Sequence, residues 1–156
     1  MTTKEFIVRL DSIKDPGRLA GLKRVFGSGG AEIAGLKTLA QLGVTIADHT
    51  GSIPYKIVAY MHGRGIANEK TGSIAKVFHA AAMLKEKGAS ENGELSFDKR
   101  FDALVACRDY HTLKIHLIQV IPFLDEHPVD YALFLDDLKN WSASIRDKWI
   151  ETYYQA

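Results

Sequence analysis

The stretch that decides the fold runs from Phe97 to Tyr154 and reads FDKRFDALVACRDYHTLKIHLIQVIPFLDEHPVDYALFLDDLKNWSASIRDKWIETYY. Its first large apolar residues, Phe97, Phe101 and Leu104, recur at the spacing of one face of an α-helix. The same period returns three more times before Tyr154. Burying so many large side chains offsets the entropy lost when a chain of this length becomes ordered. We therefore predict a C-terminal bundle of four helices.

Prolines and capping residues separate these helices. Pro122 lacks an N–H group and its ring crowds the preceding turn, so the second helix should kink or loosen there and stop before Pro128. Asp130 is placed to cap the third helix, and Ser142 or Ser144 the fourth. Each predicted helix of the bundle thus has a local signal for where it begins or ends.

The N-terminal half shows the same helical period in five shorter segments. Thr2 or Thr3 followed by Glu5 is a capping signal for the first, and Asp15-Pro16 opens the second. Glycine-bearing turns end several of them. Alternation typical of strands is almost absent, so the predicted fold class is all-α, a compact protein of about nine helices.

A polar segment divides the chain. The run EKGASENGEL lies between Lys85 and Ser96, carries glycines and has a single large apolar residue. Such a composition is typical of an exposed connection. We therefore predict an N-terminal helical domain over residues 1–88, a linker over 89–95 and the C-terminal helical bundle over 96–156.

Composition limits the classes of function. The 156 residues include 20 Lys plus Arg and 19 Asp plus Glu, so no strong overall field attracts polyanions and any nucleic-acid binding must use a local patch. No apolar run approaches the length of a membrane span and no basic-then-apolar leader is present, which favours a soluble protein. The single cysteine, Cys107, cannot form an internal disulfide, and we expect a cytoplasmic location.

Motifs for catalysis or metal binding are weak. The segment from Gly30 to Thr38 resembles a phosphate-binding loop, but Leu36 separates the glycine from the lysine and no strand precedes it, so a glycine turn before a helix is favoured. The six histidines include no HExxH motif and no ligand pair at recognised spacing. Neighbouring carboxylates such as Asp136-Asp137 point in different directions around a helix. We expect no catalytic residue, no metal and no cofactor.

Cys107 and His111 are the one pair that suggests a nucleophile and its base, because they are four residues apart. A predicted break at Asp109 and Tyr110 separates them, and an activated thiolate needs an accessible electropositive setting. A structural thiol is the favoured interpretation, and a small hydrolase using this pair stays an alternative.

Basic residues are scattered along the chain rather than gathered in one run. Lys23-Arg24 and Lys99-Arg100 are adjacent pairs on helices with well-defined apolar stripes, so these pairs are expected to project outward where they can contact phosphates. The remaining basic residues considered are Arg18, Lys56, Arg64, Lys76, Arg108, Lys114, Arg146 and Lys148. A single basic residue is by default a solvated surface charge.

The C-terminal stretch resembles the CasB family, the small subunit of the type I-E CRISPR Cascade complex. The residues that carry the resemblance are Lys99-Arg100-Phe101, Leu104, Arg108-Asp109, Leu113, His116-Leu117, Asp130-Tyr131, Leu135, Asp137-Leu138, Trp141, Arg146, Trp149 and Tyr153-Tyr154. The N-terminal half resembles the family more loosely, through LAGLKRV over 19–25 and the segment Gly72 to Lys76.

The resemblance implies an all-helical subunit that is not an enzyme. Family members assemble as two copies along a crRNA-guided complex, between its backbone subunits and its large subunit. A basic surface on them helps to hold the target DNA and the displaced strand so that the R-loop persists. The DNA nuclease is a separate protein that is recruited afterwards.

Matching positions give the predicted nucleic-acid-binding residues. By position, these are Lys23, Arg24, Lys56, Lys76, Arg100, Arg108 and Arg146. This chain departs from the family at Ile118-Gln119, where arginine often follows His-Leu, and in its C-terminal helix, which is commonly richer in arginine. Because of these departures, we predict a thinner basic surface on this chain than is common in the family.

Two further interpretations stay open beside the hydrolase. A free-standing DNA-binding regulator needs a helix with a row of outward Arg, Asn or Gln side chains, and no helix shows one. A helical module that binds only protein would tolerate loss of every basic position predicted above.

Overall fold

The computed structural model describes residues 1–85 and 96–156, and the predicted linker over 89–95 lies outside them. The described residues form nine α-helices. Their bounds are α1 Thr3–Asp11, α2 Pro16–Lys23, α3 Ile33–Gln41, α4 Ile53–Gly63, α5 Ile74–Lys85, α6 Ser96–Val105, α7 Tyr110–Val120, α8 Tyr131–Lys139 and α9 Ala143–Gln155. An isolated bridge between Asn68 and Val129 is the only β pairing in these two ranges. The all-α prediction is confirmed.

Local signals set the helix ends. Thr2 and Glu5 form a capping box at the start of α1. The side chains of Asp15, Asp130 and Ser142 accept backbone N–H groups at the starts of α2, α8 and α9, as predicted. The predicted disturbance at Pro122 is also present, because α7 ends at Val120 and a 3₁₀ turn over Ile121–Leu124 follows.

Close backbone contacts bring the N-terminal helices together. A Cβ added to Gly35 of α3 would lie 2.5 Å from the carbonyl oxygen of Gly21 in α2. A Cβ added to Gly63 of α4 would lie 2.5 Å from the backbone nitrogen of Lys23. These glycines therefore allow α2 to lie against both α3 and α4.

Helices from both halves of the chain share one buried cluster. Helix α4 packs against α7 and α8, α1 packs against α8, and α5 packs against α9. At the centre of the C-terminal part, the rings of Phe101 and Tyr153 stack with centroids 4.0 Å apart, and the hydroxyl of Tyr153 donates to Asp98 at 2.6 Å. The division at residues 89–95 stays a prediction.

Candidate nucleic-acid interface

Two lysines meet in a groove of about 480 Å³ between the end of α2 and the starts of α4 and α7. We call it the lysine groove; its residues are Val25, Phe26, Gly27, Glu32, Leu36, Ile46, Ala47, His49, Lys56 and Lys114. Burial, and then the neighbouring charge of Lys114, lower the pKa of Lys56 below its ordinary value. The ammonium of Lys114 lies 5.8 Å from the centroid of the Phe26 ring. The charge of Lys114 thus acts against the ammonium form of Lys56, and an anion bound beside Lys56 would favour that form.

Two arginines meet in a second groove, of about 320 Å³, at the start of α9. This arginine groove consists of Cys107, Arg108, Trp141, Ser142, Ala143 and Arg146. The indole N–H of Trp141 donates to the carbonyl oxygen of Cys107 at 2.9 Å, which joins its two walls. The N-terminal end of α9 also opens here and adds its partial positive charge.

Most predicted site residues keep their charge uncompensated. In the described ranges only Arg64 and Arg146 form ion pairs, with Asp125 at 2.6 Å and Asp147 at 2.9 Å. Arg146 and Asp147 are both partly exposed, so that pair contributes little stability and leaves the guanidinium able to exchange partners. Arg108 has no carboxylate partner in these ranges and is exposed.

Both grooves reach the N-terminal end of α7. Arg108 directly precedes Asp109, whose side chain caps α7, and Lys114 lies four residues into the helix. Since an α-helix rises 1.5 Å per residue, Lys114 is about 6 Å along the axis from Tyr110. The ring of His111 lies 3.4 Å from the hydroxyl of Thr50 between these two positions. Each groove thus has a basic residue close to the start of α7 along the chain, Arg108 in the arginine groove and Lys114 in the lysine groove.

Lys23 and Arg24 lie next to the lysine groove along the chain. Both are exposed at the C-terminal end of α2, and the next residues, Val25 and Phe26, form part of the groove wall. A cation near a helix C-terminus interacts favourably with the helix dipole, so helix stability also explains why Lys23 and Arg24 are basic.

Lys76 and Arg100 belong to neither groove. Lys76 is exposed in the first turn of α5. Arg100 is exposed on α6, and its guanidinium lies 4.9 Å from the centroid of the Phe123 ring. Of the predicted residues, Lys56 thus lines the lysine groove and Arg108 and Arg146 line the arginine groove, while Lys76 and Arg100 line neither.

Lys114 is the residue that sequence reasoning missed. It belongs to the scattered basic residues but not to the predicted interface, because a lysine beside Leu113 looks like an ordinary helix surface charge. Only the packing of α4 against α7 places it beside Lys56. Its position one turn after the residue that caps α7 is a weak sequence signal that Lys114 lies near the N-terminal end of that helix.

Cys107 lacks the setting of a nucleophile. Burial, and then the charge of Asp109, raise the pKa of its thiol, which keeps it protonated near neutral pH. Its sulfur donates to the carbonyl oxygen of Ala103 at 3.4 Å, while His111 contacts Thr50 instead. No cluster of three or more metal-ligating side chains occurs in the part of the chain that the structure describes.

Tyrosines near the grooves are used for packing. Tyr60 is 8% exposed, and Tyr55 meets the edge of Phe6 with ring centroids 5.0 Å apart. The hydroxyl of Tyr110 donates to the carbonyl oxygens of Leu138 and Lys139. Tyr60 is thus buried, while Tyr55 and Tyr110 are partly buried and held by contacts within the fold.

Residues 20–154 match the family model described as CRISPR-associated protein Cse2. The chain belongs to the Cse2 family. This confirms the resemblance seen in the sequence, since the match covers most of the chain. No helix within the described ranges of this Cse2 protein is both long and apolar enough to cross a membrane.

Two solved structures share the fold of this Cse2 chain. A CRISPR-associated protein of the Cse2 family from Thermus thermophilus is 20% identical, with a TM-score of 0.76 and full coverage, 100%, of both chains. CasB from M. ruber is 18% identical with a TM-score of 0.71, and the match covers 98% of this chain and 92% of that one. At such identities the likeness shows the fold alone. Among curated protein sequences no significant match is found.

Proposed function

We propose that this Cse2 chain is a non-catalytic small subunit of a type I-E CRISPR Cascade complex and that it stabilises the crRNA-guided R-loop in antiviral defence. In this role two copies lie between the backbone subunits and the large subunit, and contact the target and displaced DNA strands. The observation that carries the proposal is that two cations line each of two grooves, Lys56 and Lys114 in one and Arg108 and Arg146 in the other.

Phosphate binding fits the chemistry of these grooves. Pairing with the guide supplies sequence specificity, so a subunit that holds an opened strand needs phosphate contacts without reading bases. The lysine groove holds two cations and the carboxylate of Glu32, which accepts the backbone N–H of Gly30, and a phosphate would relieve the repulsion between the two cations. The arginine groove offers guanidinium groups, which bind phosphate with paired N–H donors. Neither groove presents a row of side chains for base edges.

The other predicted residues extend this interface. Lys23 and Arg24 would follow the strand beyond the lysine groove, since they adjoin its wall. Lys76 and Arg100 would make separate phosphate contacts away from the start of α7. The raised pKa of Cys107 supports a role without catalysis, and DNA cleavage then belongs to a separately recruited nuclease.

The proposal is tested with Cascade reconstituted from its subunits, crRNA and a matching target duplex. The variants are Arg108→Glu with Lys114→Glu, and Lys23→Glu with Arg24→Glu. Lys4→Glu is the matched control, because Lys4 is exposed on α1 and outside both grooves. We expect weaker target binding and a shorter-lived R-loop for both doubly substituted variants, with a folded subunit that still assembles.

Unchanged target affinity in both variants would contradict the assigned surface. If assembly is also intact in that case, a module that binds only protein becomes the better account. A variant that loses its helical circular dichroism signal is misfolded. The test is then repeated with glutamine instead of glutamate at the same positions.

A further inference from the structure

A third cavity, of about 400 Å³, shares no lining residue with either groove. It is formed by the segment before α4, the first turn of α4, the start of α7 and the end of α8. We call it the tyrosine cleft and use five of its residues below, namely Asp48, Ser52, Tyr55, Tyr110 and Lys139. None of them was predicted to bind a ligand.

Ser52 brings an unused hydroxyl to the tyrosine cleft. The residue is 2% exposed, and its Oγ has no hydrogen-bond partner within the described chain. It directly precedes α4, an eleven-residue helix, yet its side chain makes no capping hydrogen bond. Since a buried hydroxyl without a partner is unfavourable, this atom suits a ligand that supplies an acceptor. The N-terminal end of α4 favours an acceptor with negative charge.

Lys139 supplies a cation to the same cleft. Its ammonium donates to the hydroxyl of Thr3 at 3.2 Å and lies 5.5 Å from the centroid of the Tyr55 ring. No carboxylate among residues 1–85 and 96–156 forms an ion pair with it. Because an ammonium has three N–H donors, two are left for a ligand.

The charge balance of the tyrosine cleft limits what it can bind. The carboxylate of Asp48 accepts the backbone N–H of Gly51 at 3.0 Å and opposes the charge of Lys139. A polyanionic strand gains little from a site that holds one cation and one anion. A ligand with a single carboxylate beside N–H donors matches both groups, because its carboxylate can pair with Lys139 while one of its N–H groups donates to Asp48. This combination occurs wherever an acidic residue is part of a peptide chain.

We propose that the tyrosine cleft binds an acidic side chain of a partner polypeptide. Its carboxylate accepts hydrogen bonds from the Lys139 ammonium and the Ser52 hydroxyl, and a neighbouring peptide N–H donates to Asp48. The stem of the acidic side chain packs against Tyr55 and Tyr110. This inference rests on the proposed function, because membership of an assembly is what supplies the polypeptide.

The test is NMR on the full ¹⁵N-labelled chain titrated with N-acetylglutamate N-methylamide. The matched neutral probe is the corresponding glutamine derivative. We expect saturable shifts at the amides of Ser52 and Tyr55, with a dissociation constant on the order of millimolar for so small a ligand. The glutamine probe should bind about tenfold more weakly, and Lys139→Gln should weaken the glutamate probe about as much. Ser52→Ala should give a smaller loss in the same direction.

Several results would overturn the inference. Absence of shifts at Ser52 and Tyr55 at tens of millimolar probe would do so, as would equal binding of the two probes. A single-stranded oligonucleotide that shifts these amides more than those of Lys56 and Arg108 would assign the tyrosine cleft to nucleic acid instead. Once Cascade carrying Lys139→Gln has been purified as the assembled complex, its target affinity should match that of the wild type. Failure of the cleft is therefore distinguishable from failure of the grooves.

Discussion

Replacing Lys56 with methionine should weaken DNA binding while it stabilises the fold. Lys56 is half-buried against apolar residues, and both its burial and the charge of Lys114 act against its ammonium form. Methionine keeps an unbranched apolar stem of similar length and removes the charge. We expect the free energy of unfolding to rise by about 0.5–1 kcal/mol, within the range typical of single stabilising substitutions.

On the proposed interface the same substitution removes one phosphate contact per subunit. For a single strand each contact contributes about 0.7 to the slope of log affinity against log salt, so near physiological salt the loss should weaken binding roughly three- to fivefold for each copy of the subunit that contacts the strand. Loss of affinity together with a gain of stability distinguishes a binding residue from a structural one, because removal of a structural contact lowers the stability.

The pH dependence of the protein's stability provides a second test of Lys56. The pKa of Lys56 is lower in the folded protein than its ordinary value of 10.5, so between these two values the unfolded chain binds more protons. The free energy of unfolding should therefore rise as the pH increases from the pKa of Lys56 in the folded protein to its ordinary pKa. In Lys56→Met this part of the pH dependence should be absent.

Urea unfolding of both proteins, at neutral pH and near pH 10, measures these effects, and fluorescence anisotropy with reconstituted Cascade measures the affinity. Lys4→Met is the control, since Lys4 is exposed and lies in neither groove. A Lys56→Met protein that is less stable than the wild type at neutral pH, or that binds target DNA as tightly, would refute the reasoning.

Three further predictions concern the fold and the cysteine. Gly35→Ala should destabilise the protein by about 1–3 kcal/mol in urea unfolding, because the added Cβ would lie 2.5 Å from the carbonyl oxygen of Gly21. An unchanged free energy of unfolding would mean that α2 and α3 are less closely packed. Tyr131→Phe should cost about 1–3 kcal/mol, since the Tyr131 hydroxyl donates to the buried carbonyl of Ile66, and thermal unfolding that matches the wild type would contradict this. Cys107 should react with iodoacetamide more slowly than free cysteine at neutral pH, and faster alkylation would revive the nucleophile interpretation.

Helix positions were predictable from the sequence because their signals are local. Asp15, Asp130 and Ser142 each cap the helix that begins directly after them. Pro122 acts within a single turn, since its ring and its missing N–H affect only neighbouring residues. By propensity alone Gly35 weakens a helix, whereas the structure uses it for the close approach of α2 and α3.

The arrangement of the site could not be predicted in the same way. Lys56 and Arg108 were predicted one by one, but nothing local indicates that Lys56 meets Lys114 or that Arg108 shares a groove with Arg146. Those pairs depend on how α4 lies against α7 and on where α9 begins beside the end of α6. Ser52 is a similar case, because only the fold leaves its hydroxyl buried without a partner.

The most direct test of the two-groove interface is the salt dependence of target-strand binding by Cascade that carries Arg108→Gln and Lys114→Gln. Because each lost phosphate contact removes about 0.7 from the slope of log affinity against log salt, the double variant should be less steep than the wild type by about 1.4 for each copy of the subunit that contacts the strand. Lys4→Gln should leave the slope unchanged. An equal slope in the double variant and the wild type would contradict the claim that these grooves bind phosphates.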